Sequence, residues 1–353
     1  MFMEQRITMT HGAGGAVTNE LIKRYILKDL GGSGAEVPLE ALDDAAVIEG
    51  IVLKSDSHAV KPLFFPGGDI GRLAVTGTVN DIAVLGAEPF ALTSAFVLEE
   101  GLSMADFERI VRSMGETCRE AGVHVVTGDT KVVEKGVLGG CVINTSGIGK
   151  RNQALEHNIG VVKKHRPQFD NHWLLDSNLR SGDKIILSGT VGDHGLAVLS
   201  SREGYGFGSG IVSDVAPLNK VIMRLLAEVG GIVAMKDPTR GGLSNALNEW
   251  SQKSKVGVLV EEEKIPIRDD VRSACEMLGI DPLEVGNEGK MIIGVLAEKA
   301  DAVLAALRGM KEGKNAQIIG ETTEQFKEVA LETVVGGKRV LMPPIGDPIP
   351  RIC

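Results

Sequence analysis

The chain has 353 residues, 43% of them hydrophobic and 24% charged, an ordinary balance for a globular protein with room for two cores. A formal net charge of −9 excludes general nucleic-acid binding, and no apolar run is long enough to cross a membrane. Glycine is abundant at 45 residues and aromatics make up only 4%, a mix that points to an α/β scaffold with many tight turns. The cysteines Cys118, Cys141, Cys275 and Cys353 form no C-x-x-C pair, so a structural zinc site is not expected. With no signal-peptide pattern at the N-terminus, a reduced, cytoplasmic setting is expected.

In the first half, Ile51-Val52-Leu53 and Val123-His124-Val125-Val126 are expected as buried strands, and Val137 to Ile143 as a third. Gly71 to Gly86 and Met104 to Ala121 are expected as helices, the second opened by Ser103 and Asp106 as a capping box. The polar stretch Arg151 to Asn178 has no clear periodicity and is expected as a connection with an inserted loop. Its His157, His165 and His172 match no compact metal-ligand spacing and are assigned to a solvated loop. A second α/β region opens at Ser181-Gly182-Asp183, before a strand from Lys184 to Leu187 and another from Ile232 to Met235. Between them, Gly204 to Gly210 is either a mobile lid or a linker.

The closing stretch, Met342 to Cys353, contains Pro343, Pro344, Pro348 and Pro350. Proline cannot continue a helix or sit in a central strand, and it favours an extended arm rising about 3.1 Å per residue. A thiol on such an arm can be loaded in one place and worked on in another; the plainer alternative is a disordered tail. Prenylation is not expected, since it needs the cysteine four places from the end.

Carboxylates recur where apolar runs end. Asp56, Asp129 and Asp237 follow such runs, the pair Asp43-Asp44 precedes one, and Asn80-Asp81 lies inside an apolar helix. Any one of them is ordinary as a turn or cap residue. Convergence of several would demand a cation, with Mg²⁺ favoured by its preference for oxygen ligands and phosphates. Asp237-Pro238-Thr239-Arg240-Gly241-Gly242 leaves a strand for a helix and offers a phosphate seat of backbone N–H groups and Arg240. Gly128-Asp129-Thr130-Lys131 is a similar junction, and Gly286-Asn287-Glu288-Gly289-Lys290 sets a carboxylate between two glycines. Neither a P-loop nor a Rossmann fingerprint is present, so ATP would bind without either.

Together these residues resemble the hydrogenase maturation factors of the HypE (carbamoyl dehydratase) family, in the superfamily of aminoimidazole ribonucleotide synthetase and selenophosphate synthetase. The likeness runs nearly end to end, through His11-Gly12-Ala13-Gly14-Gly15, Asp43-Asp44-Ala45-Ala46-Val47, Asp56-Ser57-His58 and Pro62 to Gly68. It continues through Val79-Asn80-Asp81, Thr127 to Val133, Gly192-Asp193-His194-Gly195, Asp237 to Gly242 and Asn287 to Lys290, and ends at Pro350-Arg351-Ile352-Cys353. The aspartates indicate the superfamily, and the tail selects the member.

The resemblance implies an α/β, two-domain aminoimidazole ribonucleotide synthetase-like fold with a flexible C-terminal tail. Residues 1–150 would form an ATP-binding, dimer-forming domain and 151–180 the connection. Residues 181–336 would form the second domain and 337–353 the mobile arm. ATP and Mg²⁺ are the implied cofactors. ATP contacts are assigned to Asp44, Asp56, Asn80, Asp81, Gly128, Asp129, Thr130, Thr239 and Arg240, and metal ligands to Asp43, Asp44, Asp81 and Asp237. The carbamoyltransferase HypF would load Cys353, ATP would drive dehydration to a thiocyanate, and the cyanide would pass to iron on a HypC–HypD scaffold. By motif position Lys131 and Glu288 are the catalytic partners of Cys353, with the choice of base left open between them. The terminal carboxylate is expected to raise the thiol pKa and Arg351 to lower it. A selenophosphate synthetase-like enzyme is the nearest rival, opposed by the lack of any cysteine before Cys118; a non-catalytic thiol carrier is another.

Overall fold

The computed structural model describes residues 6–205, 210–346, 348–349 and 351–353, so the middle of the glycine-rich loop (206–209) lies outside the described residues. The first half runs α1 (Gly15–Leu21), α2 (Leu27–Leu30), β1 (Ala46–Ile48), β2 (Ile51–His58), β3 (Phe64–Phe65), β4 (Gly68–Asp69), α3 (Ile70–Val84), β5 (Glu88–Glu99), α4 (Met104–Ala121), β6 (His124–Val133) and β7 (Cys141–Lys150). The second half runs α5 (Gln153–His165), β8 (Lys184–Leu187), α6 (Asp193–Glu203), α7 (Asn219–Glu228), β9 (Ile232–Lys236), α8 (Gly242–Ser254) and β10 (Gly257–Glu261). It closes with α9 (Asp269–Leu278), β11 (Ile292–Val295), α10 (Ala300–Arg308), β12 (Gln317–Thr323), β13 (Val329–Glu332) and β14 (Lys338–Val340).

The first sheet has the order β1-β2-β7-β5-β6, antiparallel except for the β5–β6 pair. The second has the order β14-β13-β10-β12-β8-β11-β9, antiparallel except for β10–β13. Helix α3 is apolar nearly all round, and that is why it is buried along most of its length. Its start is fixed by Asp69, whose carboxylate accepts from the backbone N–H of Gly71 and Arg72. Helix α4 is amphipathic instead: Ile110, Met114, Thr117, Cys118 and Ala121 form a buried stripe, and α4 ends at Gly122 with φ of 79°. The two helices approach so closely at Gly71 that a Cβ there would lie 2.3 Å from the Ile110 carbonyl oxygen.

The two halves share their cores. Ile82 of α3 and Leu85 just after it belong to one apolar cluster with Ile222 and Leu225 of α7 and Met235 of β9. Ile70 and Val75 pack in another with Leu196, Val285, Ile349 and Ile352. Asn80 stitches the seam: its amide donates to the Ala216 carbonyl at 3.2 Å, and its oxygen accepts from Leu218 N–H at 2.8 Å.

Helix α4 and strand β8 fall where the sequence puts them, but several expectations change. Ile51-Val52-Leu53 opens an eight-residue strand that buries only alternate residues, because one face looks outward. The expected buried strand at 123–126 becomes β6, with nine of ten residues exposed, since β6 is an edge strand with only β5 beside it. The strand expected at Val137 begins at Cys141, because the backbone N–H groups of Gly136, Leu138 and Gly139 turn to Glu99. Ser103 makes no side-chain cap bond. Half of the connection at 151–178 is helix α5, opened by Asn152 accepting from Leu155 N–H and burying Leu155, Ile159 and Val162. Its apolar spacing was masked by interleaved histidine and lysine.

Candidate active site

Alternation along β2 places Val52, Lys54, Asp56 and His58 on the face that looks toward α3. Spacing of three along α3 brings Thr78 and Asp81 to the same side. Thr78 donates to Asp56 at 3.1 Å, while the Lys54 ammonium lies 2.5 Å from Asp81 and 3.3 Å from Asp56. His58 packs against Gly77, where a Cβ would come within 2.9 Å of the imidazole, so no other residue fits without movement. The turn before β1 supplies Asp43 and Asp44, and the end of β9 supplies Lys236 and Asp237. Thr239 donates to Asp237 at 3.0 Å, and α8 follows Arg240 and Gly241.

Asp43, Asp44, Lys54, Asp56, His58, Asp81, Lys236, Asp237, Thr239 and Arg240 line one cavity of about 510 Å³, together with Glu249, Glu288 and Cys353. Seven side-chain carboxyls face three fixed cations (Lys54, Lys236 and Arg240), more acidic groups than those cations can neutralise if all ionise. Burial raises Asp43 to about 8, with Asp176 adding to it, and burial with Asp44 and Glu288 raises Asp237 to about 7. Asp44 and Asp81 are also pushed up by burial, despite the lysines beside them. Lys54 itself is held above its ordinary value, since Asp81 and Asp56 outweigh the cost of burying it. One lysine therefore does not neutralise its carboxylate neighbours. Oxygens of Asp44, Asp81 and Asp237 lie within 4.8 Å of one another, and Asp44 Oδ2 is buried without a hydrogen-bond partner among the described residues. Oxygen-only donors, excess negative charge and an orphaned carboxylate oxygen fit a hard divalent cation such as Mg²⁺.

Asp176 organises the floor from behind. It accepts from Trp250 Nε1 at 2.7 Å, Lys253 at 2.7 Å and Lys236 at 3.1 Å, and Lys236 also meets Asp44 at 2.6 Å and Glu249 at 3.0 Å. Burial would raise Asp176, but the two lysines outweigh it and hold the carboxyl below its usual range.

The C-terminal arm is seated inward, with Cys353 at the cavity wall. Arg240 is held well above its ordinary pKa, first by the charge of Cys353 and also by a hydrogen bond to it. Glu288 is 2% exposed, its Oε1 has no partner among the described residues, and burial plus Asp214 push its carboxyl well above the usual range. A nucleophile-bearing arm, a desolvated carboxyl, a guanidinium and an anionic cation-binding floor thus meet in one place.

Comparison with known proteins places this arrangement. The N-terminal domain profile of AIR synthase related protein matches residues 42–150, and the C-terminal domain profile matches 180–331. A putative hydrogenase expression/formation protein of Methanocaldococcus jannaschii is 50% identical over 99% of this chain and 100% of its own length. Carbamoyl dehydratase HypE of Azotobacter vinelandii is 44% identical over 98% of this chain and 97% of its own. The chain belongs to the HypE carbamoyl dehydratase family. Among solved HypE structures, one in a HypE–HypF complex superposes with a TM-score of 0.82 at 43% identity, covering 92% of this chain and 99% of that one. HypE in complex with ATP superposes with a TM-score of 0.78 at 41% identity, covering 99% and 100%.

Of the residues singled out in the sequence, the structure gathers Asp43, Asp44, Asp56, Asp81, Asp237, Thr239, Arg240, Glu288 and Cys353 around the cavity. Asn80 is not among them: it faces the seam between the halves, because its amide satisfies backbone groups there. Gly128, Asp129, Thr130 and Lys131 lie on β6, and none of them lines the cavity. The Arg351 guanidinium donates to the carbonyls of Ala59 and Leu138, and Arg240 is the guanidinium paired with the charge of the terminal residue, Cys353. Sequence reasoning missed Lys54, Lys236 and Asp176. Lys54 was visible as the residue two before Asp56 on an alternating strand, and Lys236 as a charged end to an apolar run. Asp176 sits in the segment read as a loop, where nothing local marks it.

Proposed function

We propose that this chain is an ATP-dependent carbamoyl dehydratase that converts an S-carbamoyl group on Cys353 into a thiocyanate, the cyanide donor for a NiFe hydrogenase iron centre. The observation that carries this is the seating of Cys353 among Arg240, Glu288 and the aspartates. Residues 1–150 then form the ATP-binding, dimer-forming domain, 151–180 the connection, 181–336 the second domain and 337–353 the arm. Asp44, Asp81 and Asp237, with Asp43 beside them, would hold Mg²⁺, which would neutralise charge on the phosphates. Thr239, Arg240 and Asp56 would orient the phosphoryl donor.

The chemistry fits the groups present. The carbamoyl oxygen takes a phosphoryl group while the nitrogen loses one proton; loss of the second N–H proton then breaks the C–O bond, releasing phosphate and leaving the nitrile on sulfur. Glu288 is the proton acceptor we assign, because it is desolvated, unpartnered at Oε1 and at the cavity with Cys353. Arg240 would polarise the carbamoyl oxygen and hold charge as it develops. Burying the arm excludes the water that would hydrolyse an activated carboxamide.

Lys131, Asp129, Thr130 and Gly128 serve such a site only if delivered from a second copy. Support comes from β6 itself: ten residues of open strand edge with Val125, Val126 and Val132 exposed are a liability unless covered, and a homodimer closing on that edge would cover them. HypF would load the thiol and a HypC–HypD scaffold would receive the cyanide. No helix among the described residues is long and apolar enough to cross a membrane, and the cytoplasm is the compartment we assign. The test is phosphate release from Mg·ATP by protein with and without a carbamoylated Cys353. Release that requires the modified thiol supports a dehydratase, whereas ATP binding without such release leaves a carrier.

A further inference from the structure

Gly192-Asp193-His194-Gly195 opens α6, and the proposed chemistry makes no use of its histidine. His194 is fully buried, with the Phe65 ring edge-on at 5.3 Å. Its Nε2 lies 2.8 Å from the Ile352 carbonyl oxygen and its Nδ1 lies 2.7 Å from Ser213 Oγ. A carbonyl oxygen only accepts, so Nε2 carries the proton and donates it to Ile352. Burial favours the neutral ring, so Nδ1 accepts from the Ser213 hydroxyl, which in turn accepts from Val215 N–H at 3.1 Å. One tautomer is therefore enforced by a chain of three hydrogen bonds that ends on the arm.

The rest of the seat is complementary. Carbonyls on either side of Ile352 face the other way: Ala59 N–H donates to Cys353 and Lys61 N–H to Arg351, each at 3.2 Å. Arg202 donates to the carbonyls of Lys61 and Arg351 at 2.9 and 3.1 Å, tying arm and wall together. Ile349 and Ile352 are 1% and 2% exposed, and a Cβ on Gly286 would come within 2.5 Å of Ile352 Cδ1. Arg351 has φ of 60°, a left-handed conformation that a non-glycine residue holds only where its surroundings fix it.

We propose that His194 is a positioning residue for the C-terminal cysteine: its Nε2–H fixes the register of the seated arm, and Ser213 fixes the tautomer that makes this possible. A slip of one residue would offer His194 a different carbonyl and carry the thiol away from Arg240 and Glu288. The proposal rests on the dehydratase reading only for its consequence on turnover; the seating itself is independent of it.

The test compares His194→Leu, which fills the site without a donor, with His194→Gln, which keeps one. In each full-length protein, three quantities are measured: the alkylation rate of Cys353 by a small thiol reagent, the ATP affinity, and the single-turnover loss of water from carbamoylated Cys353. The expected result for His194→Leu is about tenfold faster alkylation and about tenfold slower water loss, the scale of one buried hydrogen bond, with ATP affinity unchanged. His194→Gln restores both rates to within a few-fold of wild type, and Ser213→Ala gives a smaller loss in the same direction. Equal behaviour of the Leu and Gln variants, or wild-type alkylation in both, overturns the proposal. Failure of the wild-type protein to lose water would instead sink the dehydratase reading, and the alkylation comparison would still decide the role of His194.

Discussion

Glu288 and Lys131 both sit in short polar runs beside glycine, yet Glu288 is 2% exposed with a carboxylate oxygen lacking a partner, while Lys131 stands on the most exposed strand of its sheet. The difference is where water is excluded. Around Glu288, the two halves of the chain and the arm line a cavity, and burial, with neighbouring carboxylates adding to it, pushes the carboxyls upward. Along β6 nine of ten residues are exposed, so its Gly-Asp-Thr-Lys run is a surface before it is a site. The first region gathers its groups from one chain; the second needs another surface to acquire chemistry.

The sharpest break between the two regions is Glu288→Gln. It should slow single-turnover water loss about a hundredfold or more, the usual worth of a positioned base, while Mg·ATP still binds. Retention of near-wild-type turnover would remove Glu288 as the proton acceptor. Next in size is complementation. Lys131→Ala and Glu288→Gln proteins, each impaired alone, should on mixing and exchange regain roughly a quarter of wild-type activity, because half the dimers are mixed and each then holds one intact site. No recovery would mean that β6 does not complete a neighbour's site.

The buried region should also dominate the acid limb of stability. Burial lowers His58 from an ordinary 6.5 to about 4, so the folded state binds fewer protons than the unfolded chain between those values. The neutral ring's contribution is full above about 6.5 and is lost as the pH falls through 4, by roughly 3 kcal/mol in all. Denaturant melts of wild type and His58→Gln from pH 7 to 4 should show a shallower decline in the variant; parallel curves would contradict the assignment. The smallest effect belongs to the edge. Lys131→Ala should change the unfolding free energy by no more than about 0.5 kcal/mol, and a larger loss would mean that the Lys131 side chain itself carries packing.

Much of this architecture was legible in the sequence, for identifiable reasons. Helix α4 announced itself by a strong amphipathic stripe, and β8 and β9 by short apolar runs bounded by turns. Asp43, Asp44, Asp56, Asp81 and Asp237 converged because each comes from a strand, helix or turn that borders the crevice between the halves, whereas Asp129 stayed on the edge strand β6. Tertiary facts were not legible. Nothing local says that Val123 to Val126 opens an edge strand, that Asn80 turns to the seam while Asp81 turns to the cavity, or that Lys54 and Lys236 lie among the carboxylates. Arg351 shows the same limit: its place beside Cys353 in the sequence suggested a partner for the thiol, but the seated arm turns it to backbone carbonyls, and the guanidinium that feels the charge of the terminal residue is Arg240.

The central claim is that Cys353 is loaded, seated and dehydrated. Its most direct test is the intact mass of the protein after incubation with the carbamoyltransferase, carbamoyl phosphate and ATP, followed by Mg·ATP turnover. The account predicts gain of one carbamoyl group, then loss of one water, both abolished in Cys353→Ala. A carbamoyl adduct that persists unchanged through ATP turnover, or water loss that survives Cys353→Ala, would contradict it.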